Sequence, residues 1–169
     1  MIMEAPAERV WEIVAHRFAD VGQWATAIPV SRPSSEPARD PGSPVAGRVC
    51  ETGVSLFPEV EETIVDYDEA GRRLTYRGAG LPAFIAEARN RWSVVPVDDQ
   101  RTSVRLDATV ETRGLLGRLL TVPFRFWAAR SGRMMLADLK HYAEHDTPSP
   151  RKHRQLAKRG NRAPSTVRK

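Results

Sequence analysis

The chain has 169 residues, with 26 Lys and Arg, 21 Asp and Glu, and a single Cys. This length suits one domain with a sizeable core, and one cysteine excludes a disulfide framework or a thiolate metal cluster. There is no run of 18 or more apolar residues, so we predict no membrane-spanning helix. The first residues lack the basic and apolar regions of a secretory signal, so we expect a cytoplasmic protein.

The net charge of +5 is unevenly distributed along the chain. Residues 146–169 contain eight Lys or Arg and one Asp, whereas residues 1–145 contain 18 basic and 20 acidic residues. The segment 146–169 also has three prolines and few large apolar residues, so we predict that it is a disordered basic tail. Residues 1–145 are predicted to form one domain.

The basic residues in 151–169 suit weak contacts with anionic lipid or nucleic acid. The tail has no aromatic residue to stack on bases, which argues against sequence-specific recognition of nucleic acid. The alternative interpretation of this tail is a solubilising extension.

The first element is predicted to be a helix that starts near Pro6. Its apolar residues recur at three- and four-residue spacing, which is typical of an amphipathic helix: Val10, Trp11, Val14 and Phe18. A short second helix is predicted at 20–25. The segment 31–44 is rich in Pro and Ser, and we interpret it as a long loop.

The middle of the chain is predicted to form strands at 45–54, 58–67, 72–78, 84–95 and 102–112. The last two segments alternate apolar and polar residues, which indicates antiparallel strands with one covered face. Residues 98–100 form the predicted turn between them.

From 116 to 145 the apolar residues follow a helical period instead. The order of elements predicts an α+β fold in which a curved antiparallel sheet wraps around one long C-terminal helix.

Short motifs occur in a fixed order along residues 1–145: A-P-A-E-R-V-W at 5–11, Trp24 and Ile28, G-R-V at 47–49, E-T-I at 62–64 with Asp68, L-T-Y at 74–76, G-L-P-A at 80–83 and A-D-L-K at 137–140. This set resembles the START-like, or SRPBCC, superfamily with its helix-grip fold, and especially its bacterial polyketide cyclase/dehydrase members. The G-L-P-A segment is similar to the gate loop of plant abscisic-acid receptors. The resemblance implies a cavity between helix and sheet that binds lipids, sterols, hormones or polyketides.

The family's first strand pairs with its last strand. Only residues 1–4 precede the A-P-A-E-R-V-W motif here, and of these only 1–3 are candidates for the strand. We therefore expect a short first strand and an under-covered sheet edge beside 102–112.

A wedge between a long helix and a curved sheet is either filled by side chains or lined as a ligand cavity. Strand alternation and the helical stripe give the candidate ligand-binding residues: Cys50, Leu74, Tyr76, Phe84, Asn90, Trp92, Leu106, Ala108, Val110, Trp127, Met135 and Leu139. Leu81 and Pro82 are candidates for a lid over the cavity, with an ordinary turn as the alternative. Plain core packing is the alternative for most of these residues.

Arg48 and Glu62 share their strand faces with apolar residues, so each must pair or meet a polar ligand if it points inward. Our hypothesis is a cross-strand Arg48–Glu62 pair inside the cavity. Such a pair could polarise a ligand carbonyl, or act as an acid–base pair for aldol closure and dehydration. The alternatives are a structural ion pair and a pair on the solvated face.

The predicted function is binding of a hydrophobic or aromatic small molecule, with or without polyketide cyclase/dehydratase chemistry. The rival is a non-catalytic carrier or sensor of lipids or small molecules. No P-loop, dinucleotide fingerprint or serine elbow is present, so no cofactor is predicted. Residues 141–145 spell the H-x-x-E-H zinc pattern, but they end the last predicted helix, and no metal site is predicted.

Overall fold

The computed structural model describes residues 1–55 and 57–160, with the backbone alone at positions 116, 120, 121, 123 and 124. The seven strands are β1 (Ile2–Met3), β2 (Val30–Pro33), β3 (Gly47–Glu51), β4 (Glu59–Asp68), β5 (Arg73–Ala79), β6 (Ile85–Pro96) and β7 (Thr102–Thr112). The helices are α1 (Ala7–Trp11), α2 (Val21–Trp24), α3 (Gly114–His145) and α4 (Pro150–Gly160). A π-helical turn (Glu12–His16) and a 3-10 turn (Phe18–Asp20) join α1 to α2.

The strands form one antiparallel sheet in the order β1-β7-β6-β5-β4-β3-β2. The predicted α+β fold, a curled sheet around a long C-terminal helix with short N-terminal helices, is confirmed. Strand β7 has the predicted bounds, because its strict alternation fixes both its period and its length.

The predicted loop 31–44 begins instead with an edge strand, β2, which pairs antiparallel with β3. The hydroxyl of Ser31 donates to the carbonyl of Ala19 at 2.5 Å and accepts from the amide of Gly22 at 2.8 Å. A Cβ at Gly22 would lie 2.6 Å from the Ser31 amide nitrogen, so this close approach requires glycine. Sequence reasoning missed the strand because it is short and ends on a proline.

The first strand is short, as expected. Strand β1 pairs only with Thr102 and Ser103 of β7. Beyond those two residues, the outer edge of β7 has no strand partner in the part of the chain that the structure describes. The amide of Val104 still donates to the carbonyl of Met1 at 2.8 Å.

The core lies between the concave face of the sheet, the first helices and the C-terminal half of α3. The apolar stripe of the N-terminal helical region is at most 2% exposed, as its spacing predicts. From α3, Met135, Leu139, Tyr142 and Ala143 are buried against it. The N-terminal half of α3 is different, since several of its large apolar side chains are exposed.

The prediction that all of 146–169 is disordered is wrong for residues 150–160, which form α4. The buried carboxylate of Asp138 accepts hydrogen bonds from the Ser149 hydroxyl at 2.7 Å and the Thr26 amide at 2.8 Å. The ammonium of Lys152 is buried and donates to the carbonyl of Ile28 at 2.8 Å. These polar anchors replace the apolar surface that the segment lacks. The rest of the predicted tail, residues 161–169, lies outside the described residues.

The burial of Lys152 gives a pH-dependent stability. Burial, reinforced by nearby Arg159, lowers the pKa of Lys152 to about 8 from its ordinary 10.5. Because the unfolded chain then binds more protons between these two values, the free energy of unfolding rises with pH across that window. We expect wild type to gain stability relative to Lys152→Met between about pH 8 and about pH 10.5 in urea unfolding.

The matched control is Lys158→Met, which removes an exposed base from the same helix. The stability difference between this variant and wild type should stay constant over the same pH range. An equal pH dependence for the two variants would contradict the placement of Lys152.

Candidate functional site

The Arg48–Glu62 pair lies on the concave face of the sheet. Strands β3 and β4 place the two residues directly opposite each other, and Arg48 Nε donates to Glu62 Oε2 at 2.5 Å. The neighbouring Gly47 allows this close approach, since a Cβ there would lie 2.2 Å from the carbonyl oxygen of Glu62. The G-R-V motif therefore positions the arginine through its glycine.

The guanidinium of Arg48 is enclosed, with its side chain only 2% exposed. Its Nη1 donates to the carbonyl of Phe18 at 2.8 Å. Its central carbon lies 3.8 Å from the ring centroid of Phe18 and 5.2 Å from that of Tyr76, within cation–π range. Burial is the largest single influence and lowers the pKa of Arg48, but the interactions with Glu62 and the other neighbouring groups together outweigh it and hold the pKa above its ordinary value.

One donor of this arginine has no partner. Arg48 Nη2 is buried and makes no hydrogen bond with any described residue. A buried N–H without an acceptor costs free energy. Arg48 Nη2 is therefore the atom of the site that is available to donate a hydrogen bond to another molecule.

Two further polar groups line the same region. The thiol of Cys50 lies 3.7 Å from Glu62 Oε2, and burial raises the pKa of that thiol to about 12. Burial also raises the pKa of the Tyr76 phenol. Both groups therefore stay neutral near pH 7, and Cys50 is not an activated nucleophile.

The other predicted ligand-binding residues separate into two sets. The first set is packed into the core, fully or in part: Cys50, Leu74, Tyr76, Trp92, Leu106, Met135 and Leu139. The second set is half-buried or exposed: Leu81, Pro82, Phe84, Asn90, Ala108, Val110 and Trp127. The structure therefore packs the first set of predicted lining residues into the core and leaves the second set at least partly exposed.

Small residues continue the row of Glu62 across the concave face. Glu62 pairs with Gly78 on β5, and Ala88 on β6 pairs with Val110 on β7. A Cβ at Gly78 would lie 4.0 Å from the Cβ of Ala88, so the two positions are neighbours. We call this row of Gly78, Ala88 and Val110 the small-residue trough. Glu62, in the same row, keeps 14% of its side chain exposed.

Phe84 does not belong to the inward face of β6, which corrects its predicted place. A β-bulge between Ile85 and Glu87 shifts the alternation, so that Ile85 is buried opposite Thr112. Phe84 lies before the strand, where its carbonyl accepts from the Arg113 amide at 2.8 Å. The period-two pattern could not reveal the bulge, because Phe84 and Ala86 continue it without interruption.

The loop between β5 and β6 bends over the trough. Gly80 has a φ of +82°, a conformation that favours glycine. A Cβ at Gly78 would lie 3.5 Å from Leu81 Cδ1 and 3.5 Å from Val60 Cγ1, so Leu81 covers this end of the trough. A recess of about 360 Å³ lies beside the loop on the other face of the sheet, where Thr63, Arg77 and Glu87 line it together with Leu81.

A second recess, of about 620 Å³, lies by the β3–β4 loop. Gly53, Val54 and Pro58 are among the residues that line it. Neither recess lies between the C-terminal half of α3 and the sheet, where Met135 and Leu139 fill the space.

Sequence reasoning did not assign the contacts of three residues, of which only Phe18 touches the Arg48–Glu62 pair. Phe18 was identified as core, but its carbonyl and ring also hold Arg48. Phe57 contacts Trp127 with ring centroids 6.5 Å apart. Asp138 anchors the C-terminal segment, and the signal that could have found it is an acidic residue next to buried Leu139.

The H-x-x-E-H pattern does not form a metal site here. The rings of His141 and His145 stack on each other at 4.5 Å, and Glu144 accepts from Lys140 at 2.5 Å. Across residues 1–55 and 57–160, no group of three or more His, Cys, Asp or Glu could hold a metal ion. Within the same residues, no helix is both long and apolar enough to cross a membrane.

A sheet that grips a long helix, with a buried charge pair on its concave face, defines a helix-grip protein. Residues 1–144 match the family described as polyketide cyclase/dehydrase and lipid transport, and the chain belongs to this family. A search of curated proteins finds no match.

Solved structures show the same fold. The di-domain ARO/CYC BexL from the BE-7585A biosynthetic pathway is 20% identical with a TM-score of 0.65, over 83% of this chain and 43% of that chain. The chain therefore spans less than half of that di-domain protein. The ZhuI aromatase/cyclase from Streptomyces sp. R1128 is 17% identical with a TM-score of 0.56, over 88% and 95% of the two chains. A START superfamily protein from Mycobacterium smegmatis is 18% identical with a TM-score of 0.52, over 81% and 94%.

Proposed function

We propose that the domain binds an apolar or aromatic small molecule over the small-residue trough, with an oxygen of that molecule directed at Arg48 and Glu62. The observation that carries this proposal is the buried Nη2 of Arg48, which lacks an acceptor among the described residues. A ligand carbonyl or phenolate oxygen is the acceptor that would satisfy it.

The surroundings of the pair support an apolar ligand. Glu62 keeps 14% of its side chain exposed, so its carboxylate can be reached. On the same face of the sheet, Ala88 on β6 is half-buried and Ala108 on β7 is exposed, so the concave face is not filled at these two positions. The family description and the names of the aromatase/cyclase relatives support an oxygenated aromatic or polyketide-like compound as the ligand class.

The pair can also serve an aldol cyclisation and dehydration. Glu62 would accept a proton from the carbon next to a ligand carbonyl, while Arg48 stabilises the resulting enolate oxygen. The enolate carbon would form a bond to a second carbonyl carbon, whose oxygen takes the proton back from Glu62. That C–C bond closes the ring, and loss of the new hydroxyl with a neighbouring proton, as water, would introduce a double bond into it. If the bound molecule is not converted, the same contacts would serve a carrier or a sensor.

The test starts with native mass spectrometry of the protein purified from its own host, where we expect a co-purified small molecule. Glu62→Gln keeps an acceptor for Arg48 but removes the base, so an enzyme should retain binding of that molecule and lose its conversion. The matched control is Glu59→Gln on the same strand, which removes an exposed carboxylate paired with Arg32.

Equal conversion by Glu62→Gln and wild type would contradict the chemical role of Glu62. Binding without conversion in all three proteins would identify a carrier or sensor. Binding that is indifferent to both Glu62→Gln and Arg48→Lys would contradict the proposed site.

A further inference from the structure

The N-terminal half of α3 has one side against the protein and one side in water. A Cβ at Gly117 would lie 3.0 Å from Thr112 Cβ and 3.3 Å from the Phe84 carbonyl oxygen, so this side of the helix abuts β7 and the β5–β6 loop. Each residue of an α-helix turns by about 100°, which places Leu115 and Leu119 on the side away from Gly117. The same periodicity adds Val122 and Phe126 to that outer side.

The outer side of this half-helix is apolar and exposed. The exposed fractions of its side chains are 78% for Leu115, 76% for Leu119, 76% for Val122 and 69% for Phe126. We call these four residues the outer stripe. Large apolar side chains that follow one another along one side of a helix and are exposed to water are typical of an interaction surface. Single apolar residues scattered over a surface are not.

The charge around the outer stripe has one sign. No Asp or Glu occurs between Glu111 and Asp138, whereas five arginines do: Arg113, Arg118, Arg125, Arg130 and Arg133. Arg118 and Arg125 lie seven residues apart, on the same flank of the stripe, and both are exposed. The segment between Glu111 and Asp138 therefore supplies this surface with large apolar and cationic side chains and with no anionic ones.

We propose that the outer stripe and its flanking arginines dock this domain on an anionic lipid surface. A helix with Leu and Phe on one side and Arg beside them lies in the bilayer interface, where apolar side chains enter the acyl boundary and cations meet lipid phosphates.

A second copy of this chain fits the surface less well. The four-three-four spacing of the outer stripe would suit a helix pair. In such a pair, however, the cationic flanks of the two copies would come close together without a carboxylate between them. The charge of an anionic bilayer complements the same flanks.

The test is co-sedimentation of the full chain with phosphatidylcholine vesicles, with and without about 30% phosphatidylserine, at about 0.1 M and about 0.5 M salt. We expect binding to the anionic vesicles that weakens at the higher salt. Leu119→Gln/Phe126→Gln should reduce it by about tenfold or more, and Arg118→Gln/Arg125→Gln should reduce both the binding and its salt dependence. Trp127 gives a second readout through a blue shift of its emission, because it is 48% exposed while the other three tryptophans are 2% exposed.

Two matched controls separate this surface from others. Val95→Gln/Val97→Gln removes apolar side chains that are 54% and 50% exposed at the β6–β7 hairpin, and binding should not change. Arg154→Gln/Lys158→Gln removes exposed bases of α4, and most of the binding should remain.

Three outcomes would overturn the proposal: no binding of wild type to anionic vesicles, full binding by Leu119→Gln/Phe126→Gln, or a loss confined to Arg154→Gln/Lys158→Gln. A dimer in solution that Leu119→Gln/Phe126→Gln dissociates, without vesicle binding, would assign the outer stripe to a second copy instead. Thermal unfolding of each variant checks that the fold is intact.

Discussion

Arg48→Met is expected to lower the free energy of unfolding by about 3–5 kcal/mol, because it removes one partner of a buried ion pair. The substitution keeps most of the side-chain volume. It leaves the carboxylate of Glu62 and the carbonyl of Phe18 without their donor in a region where water has little access. Urea unfolding followed by circular dichroism measures the loss.

The matched control is Arg32→Met, on the neighbouring strand of the same sheet. Arg32 pairs with Glu59 at 2.9 Å, but both side chains are about half exposed, so this substitution should leave stability nearly unchanged. The double variant Arg48→Met/Glu62→Leu should recover much of the loss, since neither charge is then left unpaired. Equal stability of Arg48→Met and Arg32→Met would show that the Arg48–Glu62 pair is solvated.

Trp92→Ala is expected to cost about 3–5 kcal/mol of the free energy of unfolding, because it empties the centre of the core. Trp92 is 2% exposed and pairs with Leu74 and Leu106 on the two neighbouring strands. Chemical denaturation of ligand-free protein is the measurement. If Trp92 lined an open cavity instead, its truncation would cost little in that state.

Trp127→Ala, the same substitution at a more exposed tryptophan, is the control for Trp92→Ala. Trp127 is 48% exposed and contacts Phe57, so its truncation should cost clearly less than that of Trp92. A loss equal to that of Trp92→Ala would contradict the difference in burial between the two positions.

The bulge in β6 and the helix α4 show why sequence patterns failed locally. Period-two alternation predicts that Phe84 and Ala86 point inward, but Ile85 does so instead. The reason is that the strand accommodates one extra residue where it meets the β5–β6 loop. The C-terminal segment has a composition typical of disorder, yet Asp138 and the carbonyl of Ile28 bind Ser149 and Lys152. Both outcomes depend on partners distant in sequence, which no local window contains.

The candidate site could be predicted in part. Alternation along β3 and β4 put Arg48 and Glu62 among inward apolar residues, and an inward charge requires a partner. The sequence did not indicate that Phe18 would supply a carbonyl and a ring to the same guanidinium. That contact depends on how the first helices cross the sheet.

The sequence by itself determined the five long strands of the antiparallel sheet, the long helix that follows them and the family, but not β2 or α4, because periodicity and ordered motifs are local properties of the chain. Only the tertiary structure decided which predicted lining residues are packed and which are open. Along α3 the apolar residues are similar in both halves, but the C-terminal half packs on the core while the outer stripe remains in water. The difference arises because the outer stripe lies on the side of α3 that faces away from β7, and the positions of the neighbouring elements decide which side that is.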